Sequence, residues 1–499
     1  MPTSTLEAPS KTTFSDQSTS PVNGTSGVEA PSSSTESASV STSAAIPREV
    51  APQAYIDPAE APSWEDLAAR FRPIFSRIAD GAVAREQTRT LAYEPVAWLR
   101  EAGFGAVRIP RAYGGLGATL PQLFRLLLEL GEADSNVSHL FRGHFSFLEA
   151  RLNIPDTASH ARWFPLIAQG VILGYAMAER TEHTGGSAQL LRENDQYLVD
   201  GTKYYSTGTI YADWIIVSLL EGEERVSVAV PTHAPGVTRI DDWDGFGQRL
   251  TGSGTTKFDR VKINDDQIIR RFGPADFTQN YQKAFLQLVL LASVAGVGRA
   301  VVRDGIAFVQ PRTRAFGIPG KSNPKGDPLV QRVLGKVSSL AFSAETIVLG
   351  IAQHLEDLYH LVQRGEATEA DYVSTEIKAY QAQQIVLPQV LEAATLVFEV
   401  GGASATSETR RLDRHWRNAR TAASHNPAIH REAAIGDYLL NGTIPDRAWR
   451  EAFERRQTAS SEGRAVTPLT AGFENGGERS PRPTSIPRGR RPRLQQTAL

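Results

Sequence analysis

The hydrophobic rhythm of this chain changes twice, and that double switch restricts its fold more than any other feature. Over residues 63–170 apolar side chains return every three or four positions, as in WEDLAARFRPIFSRIADGAVA and LPQLFRLLLELGEA. That is the period of helices with one buried face. Between about 171 and 270 the period shortens. WIIVSLL and VSVAVP are apolar runs suited to buried strands, and TTKFDRVKI alternates as a half-exposed one. QYLVDGTKYYSTG reads as a hairpin whose Asp200-Gly201 supplies the positive φ angles of a tight turn. From about 276 helical spacing returns, with an apolar stripe through Val333, Leu334, Val337, Leu340, Ala341, Ala344, Val348 and Ile351. The expected class is α+β: a helical domain over 56–170, a small β domain over 171–272 and a helical domain over 273–456. No internal repeat is visible.

The two ends obey a different composition. Residues 1–55 are largely Ser, Thr, Pro and Ala, and 457–499 close on the basic stretch PRPTSIPRGRRPRLQQTAL. Neither can bury enough apolar area to offset ordering entropy, so both are expected to be disordered. The arginine cluster reads as a solvated tail rather than a nucleic-acid site. The whole chain of 499 residues carries a formal net charge of -2, which gives no bulk attraction to nucleic acid or an anionic membrane. Zero cysteines exclude disulfides, iron–sulfur clusters, cysteine-zinc sites and thiol nucleophiles, and suit a reducing cytoplasm. No uninterrupted apolar run reaches the ~18 residues of a membrane span, and no secretory leader is expected at the N-terminus. No metal site is expected.

Against that frame a few residues carry chemistry. Gly401-Gly402 in FEVGGAS can turn successive backbone N–H groups toward an anion, and Arg312 or Arg314 in PRTRAFG can pair with a phosphate. RTAASHNPAIH places His425 and His430 around Asn426-Pro427 on a chain with ten histidines. The helical–β–helical order and four phrases in sequence resemble the acyl-CoA dehydrogenase superfamily over about 65–450. YAMAERTEHTGGS resembles its strand-edge segment, GTKYYSTG its flavin-contacting strand, FEVGGAS its Glu-x-Gly-Gly loop and LDRHWRNAR its Arg-Asp-Ala-Arg helix. The resemblance implies an N-terminal helical domain, a central small β-barrel domain and a C-terminal four-helix bundle. It also implies a flavin whose phosphate is held by Arg314, preferred over Arg312, with Gly401 and Gly402.

The glutamate that dehydrogenases of this superfamily use as a base is missing. Counted from Arg417, its slot falls on Asn426, whose amide has no basic lone pair. The alternative slot on an earlier helix, in AFLQLVLLASVAG, falls on Leu286. What the segment does resemble is the flavin-dependent monooxygenase branch that includes dibenzothiophene and dialkyl-sulfone monooxygenases. There Ser-His-Asn-Pro follows Arg-Asn-x-Arg-Thr. DDWDGFGQRLTGSGTT resembles that branch's Asp-Asp-Trp…Ser-Gly-Thr signature, with ten residues from Trp243 to Ser253, and NVSHLFRGHF resembles its histidine-bearing helix.

That resemblance implies an enzyme taking reduced FMN from a separate NADH-dependent reductase. A C4a-hydroperoxide formed with dioxygen would oxygenate a small hydrophobic substrate, with organosulfur compounds among the candidates. His425, beside Asn426, would donate a hydrogen bond and then a proton, with a pKa near working pH. His139 or His144 would act from the opposite wall. Being five apart, about 140° on a helix, they cannot both face one site. Trp243 would wall the pocket, and Tyr205, Ser206 or Ser253 would contact the flavin. A homotetramer with sites between subunits is expected. Two departures bear on the substrate: Tyr175 replaces an asparagine and Ala178 replaces a hydroxyl residue. Three alternatives stand beside this reading. They are an FAD-dependent acyl-CoA dehydrogenase with its base elsewhere, an N-hydroxylating monooxygenase, and a non-enzymatic scaffold whose tails recruit partners.

Overall fold

The computed structural model describes residues 54–179, 188–222, 224–272, 278–314 and 323–445. Both expected tails, apart from residues 54 and 55, lie outside them, as does the stretch 180–187 that holds TEHTGGS. The N-terminal helices are α1 (Trp64–Thr88), α2 (Tyr93–Glu101), α3 (Leu120–Ala133), α4 (Ser135–Leu140), α5 (Arg142–Leu152) and α6 (Thr157–Ala168). Their starts are chemically marked. The Ser63 hydroxyl accepts the Asp66 N–H at 3.0 Å to open α1, and Thr119 and Gln122 form a reciprocal capping box on α3. Leu120, Leu123, Phe124 and Leu127 then bury the inner face of α3.

Eight strands follow: β1 (Leu173–Ala176), β2 (Gln189–Glu193), β3 (Gln196–Lys203), β4 (Trp214–Glu221), β5 (Glu224–Pro231), β6 (Val237–Ile240), β7 (Thr255–Ile263) and β8 (Ile268–Arg271). They make one sheet in the order β6-β7-β3-β2-β4-β5-β8, with β1 added in parallel to β4. Ile215, Val217 and Leu219 of β4 face a small core with Val226, Val228 and Val230, while Ile216 and Ala229 face the main helical core. Burial on both faces explains why WIIVSLL and VSVAVP are continuous apolar runs. The hairpin turn falls elsewhere than expected. Asn194 and Asp195, at φ 46° and 62°, join β2 to β3, whereas Asp200-Gly201 lies inside β3 at a register irregularity against β7. Gly201, at φ 126°, therefore serves a bulge.

The C-terminal helices are α7 (Thr278–Val309), α8 (Pro328–Arg364), α9 (Glu369–Leu396), α10 (Asp413–Ala423) and α11 (Ala428–Asn441). α7 and α8 are each long and apolar enough for a membrane span by length and composition alone, beyond what the search for apolar runs showed. The apolar window of α7 is 83% buried, because this helix is central to the bundle. Gly131 of α3 and Gly296 of α7 let those helices approach so closely that a Cβ on Gly296 would lie 2.6 Å from the Gly131 carbonyl carbon. The predicted stripe on α8 is buried at Val337, Leu340, Ala341, Ala344 and Val348, whereas Val333, Leu334 and Ile351 are half-buried. Its outer face leaves Leu329 and Phe342 exposed, as α11 leaves Leu439 and Leu440.

Candidate active site

The site forms where α4, the start of α5 and α7 meet the end of α10, under the loop that joins β6 to β7. Gly247 brings that loop onto α10. A Cβ there would stand 2.1 Å from the Arg417 carbonyl oxygen, so only glycine allows the approach. Gln248 then ties the elements together. Its N–H donates to Asn418 Oδ1 at 2.6 Å, its side-chain amide donates to Ser135 Oγ at 3.2 Å, and its Oε1 lies 3.2 Å from His139 Nδ1. Arg417 donates to Glu86 and to the Phe246 carbonyl, both at 2.7 Å, and so holds the loop.

His425 and His139 stand together, their rings 6.1 Å apart and edge-on. His139 is buried with Nδ1–H committed to Gln248, and its Nε2 has no partner. Burial, then the Arg142 charge, pushes its pKa down to about 4. His425 is exposed along one edge, but protein crowds the rest of the ring. Lost hydration, then the Arg142 and His139 charges, hold its pKa well below the usual histidine range. This corrects the expectation of a proton donor titrating near working pH. The tautomer follows from the neighbours: Arg142 Nη1 donates to His425 Nε2 at 3.2 Å, which leaves the proton on Nδ1, 3.3 Å from Asn426 Oδ1. His425 is thus a neutral acceptor toward Arg142. Asn426 Nδ2 donates to Gln287 Oε1 at 2.7 Å, and the Asn426 carbonyl accepts from Gln383 at 2.9 Å.

His144 is not in the site. Its Nε2–H donates to the Gly105 carbonyl at 2.9 Å and its Nδ1 accepts the Leu173 N–H at 3.2 Å, so both nitrogens are committed to backbone. It is fully buried, which drives its pKa down to about 4. The two histidines do face apart as their spacing requires, although Phe141 breaks the helix between them.

On the β side, Trp243 is held by Nε1–H to the Gly247 carbonyl at 3.2 Å and meets Tyr205 edge-on at 5.7 Å. Tyr205 is exposed at a φ of 58°, a backbone conformation that turns its ring outward. Ser253, Thr251 and Thr207 form a chain of hydroxyls 2.7 Å apart. Ser206 is buried with its Oγ unpartnered. An open aromatic wall beside hydroxyl groups with spare hydrogen-bonding capacity fits the polar edge and flat face of an isoalloxazine ring.

The phosphate candidates lie at the other end of α10. Arg312, rather than Arg314, reaches the glycine loop: its Nη1 lies 3.5 Å from the Val400 carbonyl, and a Cβ on Gly401 would strike that nitrogen and the Phe308 ring. Arg312 and Arg410 sit at 4.7 Å and 4.9 Å from the Phe308 ring centroid, and Gly402 takes a φ of 53°. Arg314 is exposed and makes no hydrogen bond or ion pair among the described residues. One helix, of length roughly 16 Å at 1.5 Å per residue, separates this cluster from His425. Sequence reasoning missed Arg142, Gln248 and Arg410. Arg142 had a signal, a lone cation inside the apolar run NVSHLFRGHF; the other two had none.

Residues 288–428 match the family model described as acyl-CoA dehydrogenase, C-terminal domain, and the fold is similar to solved structures of that architecture. The chain is 26% identical over 365 residues to a dibenzothiophene monooxygenase of Rhodococcus qingshengii, covering 70% of this chain and 86% of that one. It is 24% identical over 353 residues to a probable FMNH2-dependent monooxygenase, SfnC, of Pseudomonas putida, covering 70% and 88%. Among solved structures it is similar to TdsC from Paenibacillus sp. A11-2 in complex with FMN and indole. The TM-score is 0.69 at 23% identity, over 76% of this chain and 98% of that one.

Proposed function

We propose that this chain is an oxidoreductase, a flavin-dependent monooxygenase that takes reduced FMN from a separate reductase in the cytoplasm and oxygenates a small organosulfur substrate. The observation that carries it is the chemistry of the wall around His425. Among the described residues, the groups that hydrogen-bond to His425, Asn426 and Arg142 are amides, a backbone carbonyl and one another, with no carboxylate. Removing an α-proton requires a base that this wall lacks. Oxygen transfer requires instead fixed donors and exclusion of water. The similarity to dibenzothiophene and FMNH2-dependent monooxygenases over most of their length supports the same reading.

When bound, reduced FMN supplies the electrons that activate dioxygen. The chain's own part is positioning. Trp243 and Tyr205 wall the ring, while Ser253 and Thr207 offer hydroxyls to its polar edge; Ser206 is sealed beneath the surface. Arg142 is the cationic donor on the helical side. His425, kept neutral, orients that guanidinium by accepting from it, and His139, fixed by Gln248, packs beside it. Arg312 and Gly401, at the far end of α10, suit the phosphate of a flavin bound mainly to another copy. The exposed Leu329, Phe342, Leu439 and Leu440 supply apolar faces for that association, so a homotetramer with shared sites is the assembly we propose.

The test supplies photoreduced FMN to the protein in air with a panel of organosulfur compounds, neutral (dibenzothiophene, dimethyl sulfone) and anionic (methanesulfinate), and in parallel supplies butyryl-CoA to the flavin-loaded protein without oxygen. Oxygenated product in the first arm and no flavin bleaching in the second is the expected result. Bleaching by butyryl-CoA would replace this reading with a dehydrogenase.

A further inference from the structure

Arg142 is a cation without an acid. Of its five N–H groups, Nε–H goes to the Leu286 carbonyl at 2.8 Å and one on Nη1 goes to His425 Nε2. No carboxylate pairs with it among the described residues, and both Nη2 donors are left over. Loss of hydration pulls its pKa down to about 10, with the Tyr175 phenol as the opposing influence. Arg142 is half-buried, so its guanidinium has lost part of its hydration while its unused donors stay open to a ligand.

A second unpaired guanidinium lies on the same helix. Arg151 is buried, its Nε has no partner among the described residues, the Phe147 ring lies 5.8 Å away, and the Tyr175 phenol and the Asp156 carboxylate only partly offset its lost hydration. Arg142 and Arg151 both act on the Tyr175 hydroxyl, and Arg270 adds a third positive charge beside Arg151. Tyr175 itself is seated by Gly143. A Cβ on that glycine would lie 2.9 Å from the Tyr175 ring, so the tyrosine occupies space that Gly143 vacates. Its hydroxyl, 3.4 Å from Gln282 Nε2, is one more polar group on the same wall. The helical side of the site therefore carries fixed positive charge, unfilled N–H donors and a phenol. The flavin candidates Tyr205, Trp243 and Ser253 lie on the β side.

We propose that the substrate carries an anionic oxygen-bearing group, a sulfinate, sulfonate or carboxylate, which Arg142 binds through its free Nη2 donors beside the reacting centre. This rests on the monooxygenase reading for its chemistry, but the binding claim stands separately. His425 fixes the guanidinium orientation from one side and the Leu286 carbonyl from the other, which leaves three donors, two on Nη2 and one on Nη1, to meet an oxyanion in a set plane. Arg151 contributes attraction along the approach rather than contact. The same argument makes a fully neutral substrate a poor match, since it would leave the guanidinium uncompensated.

The experiment measures binding by calorimetry to the full-length, FMN-loaded protein, using two pairs of probes matched in shape and different in charge. The pairs are methanesulfinate with dimethyl sulfone, and benzenesulfinate with methyl phenyl sulfone. Wild type should bind the anion of each pair at least tenfold more tightly. Arg142→Met should abolish that preference while leaving FMN affinity within twofold, and Arg142→Lys should restore part of it. The inference is overturned if wild type shows no preference for the anions, if the preference survives in Arg142→Met, or if Arg142→Met instead releases FMN. None of these outcomes depends on turnover. Failure to oxygenate any substrate would count against the function and not against the anion site.

Discussion

Replacing Gly247 by alanine tests whether the loop between β6 and β7 must lie directly on α10 for the site to exist. The new Cβ would sit 2.1 Å from the Arg417 carbonyl oxygen, 2.5 Å from its carbon and 2.6 Å from Thr421 Oγ1. Two of those atoms belong to helical backbone, which cannot rotate away. Ordinary contact begins near 3.4 Å, so the loop must lift by about 1.3 Å. Overpacking of this kind costs about 1–3 kcal/mol. The lift also strains the 2.6 Å bond from Gln248 N–H to Asn418, and a buried hydrogen bond is worth about 1 kcal/mol net. Together they predict a loss of about 2–4 kcal/mol, read as a lower urea midpoint with unchanged slope. Because Gln248 orients His139, oxygenated product per oxygen consumed should fall as well. Gly436→Ala is the control. No atom lies within 4 Å of its added Cβ, and it should stabilise α11 by about 0.5–1 kcal/mol. A Gly247→Ala protein with the wild-type midpoint and product yield would refute the assembly described for this site.

His425→Ala should bind FMN and still consume oxygen, with product falling by about one to two orders of magnitude and hydrogen peroxide rising to match, because Arg142 loses a charge-assisted hydrogen bond of about 1.5–3 kcal/mol that orients it. An unchanged ratio of product to peroxide would make His425 structural. Arg312→Ala should weaken FMN binding by about tenfold in fluorescence titration, whereas Arg314→Ala should leave it unchanged; the reverse order would restore the original assignment. Acid should destabilise the protein through His139 and His144. Their folded pKa values of about 4 lie below the ordinary ~6.5, so between those values the unfolded chain binds more protons and stability drops as pH falls. Each contributes about 1.4 kcal/mol per pH unit in that window, and a denaturation midpoint that is flat from pH 6.5 to 4 would contradict both placements.

The fold was legible because periodicity is a property of single elements. The stripe on α8, the two-sided burial of β4 and β5 and the order of helices and strands all follow from side-chain spacing. The hairpin turn was misread because Asp-Gly is a stronger turn signal than Asn-Asp, yet the ladder with β7 uses Gly201 as a bulge. In the site, His425 and His139 could be named, but their protonation could not. The depressed pKa of each comes first from burial and then from Arg142, and both depend on how α5 and α10 pack on α7. His144 looked equivalent to His139 in the sequence. Only the backbone groups of Gly105 and Leu173, remote from it in the chain, show that both its nitrogens are already used. Arg312 and Arg314 differ by two residues, and their choice turned on which one meets Val400.

The central claim is that the wall around His425 and Arg142 directs an oxygen atom from dioxygen into substrate. The most direct measurement is mass spectrometry of the product formed under ¹⁸O2 by the protein supplied with photoreduced FMN and an organosulfur substrate. The account predicts one ¹⁸O atom in each product molecule, none from labelled water, and a yield that collapses in His425→Ala while oxygen uptake persists. Product whose new oxygen comes from water, or label incorporation indifferent to His425, would contradict it.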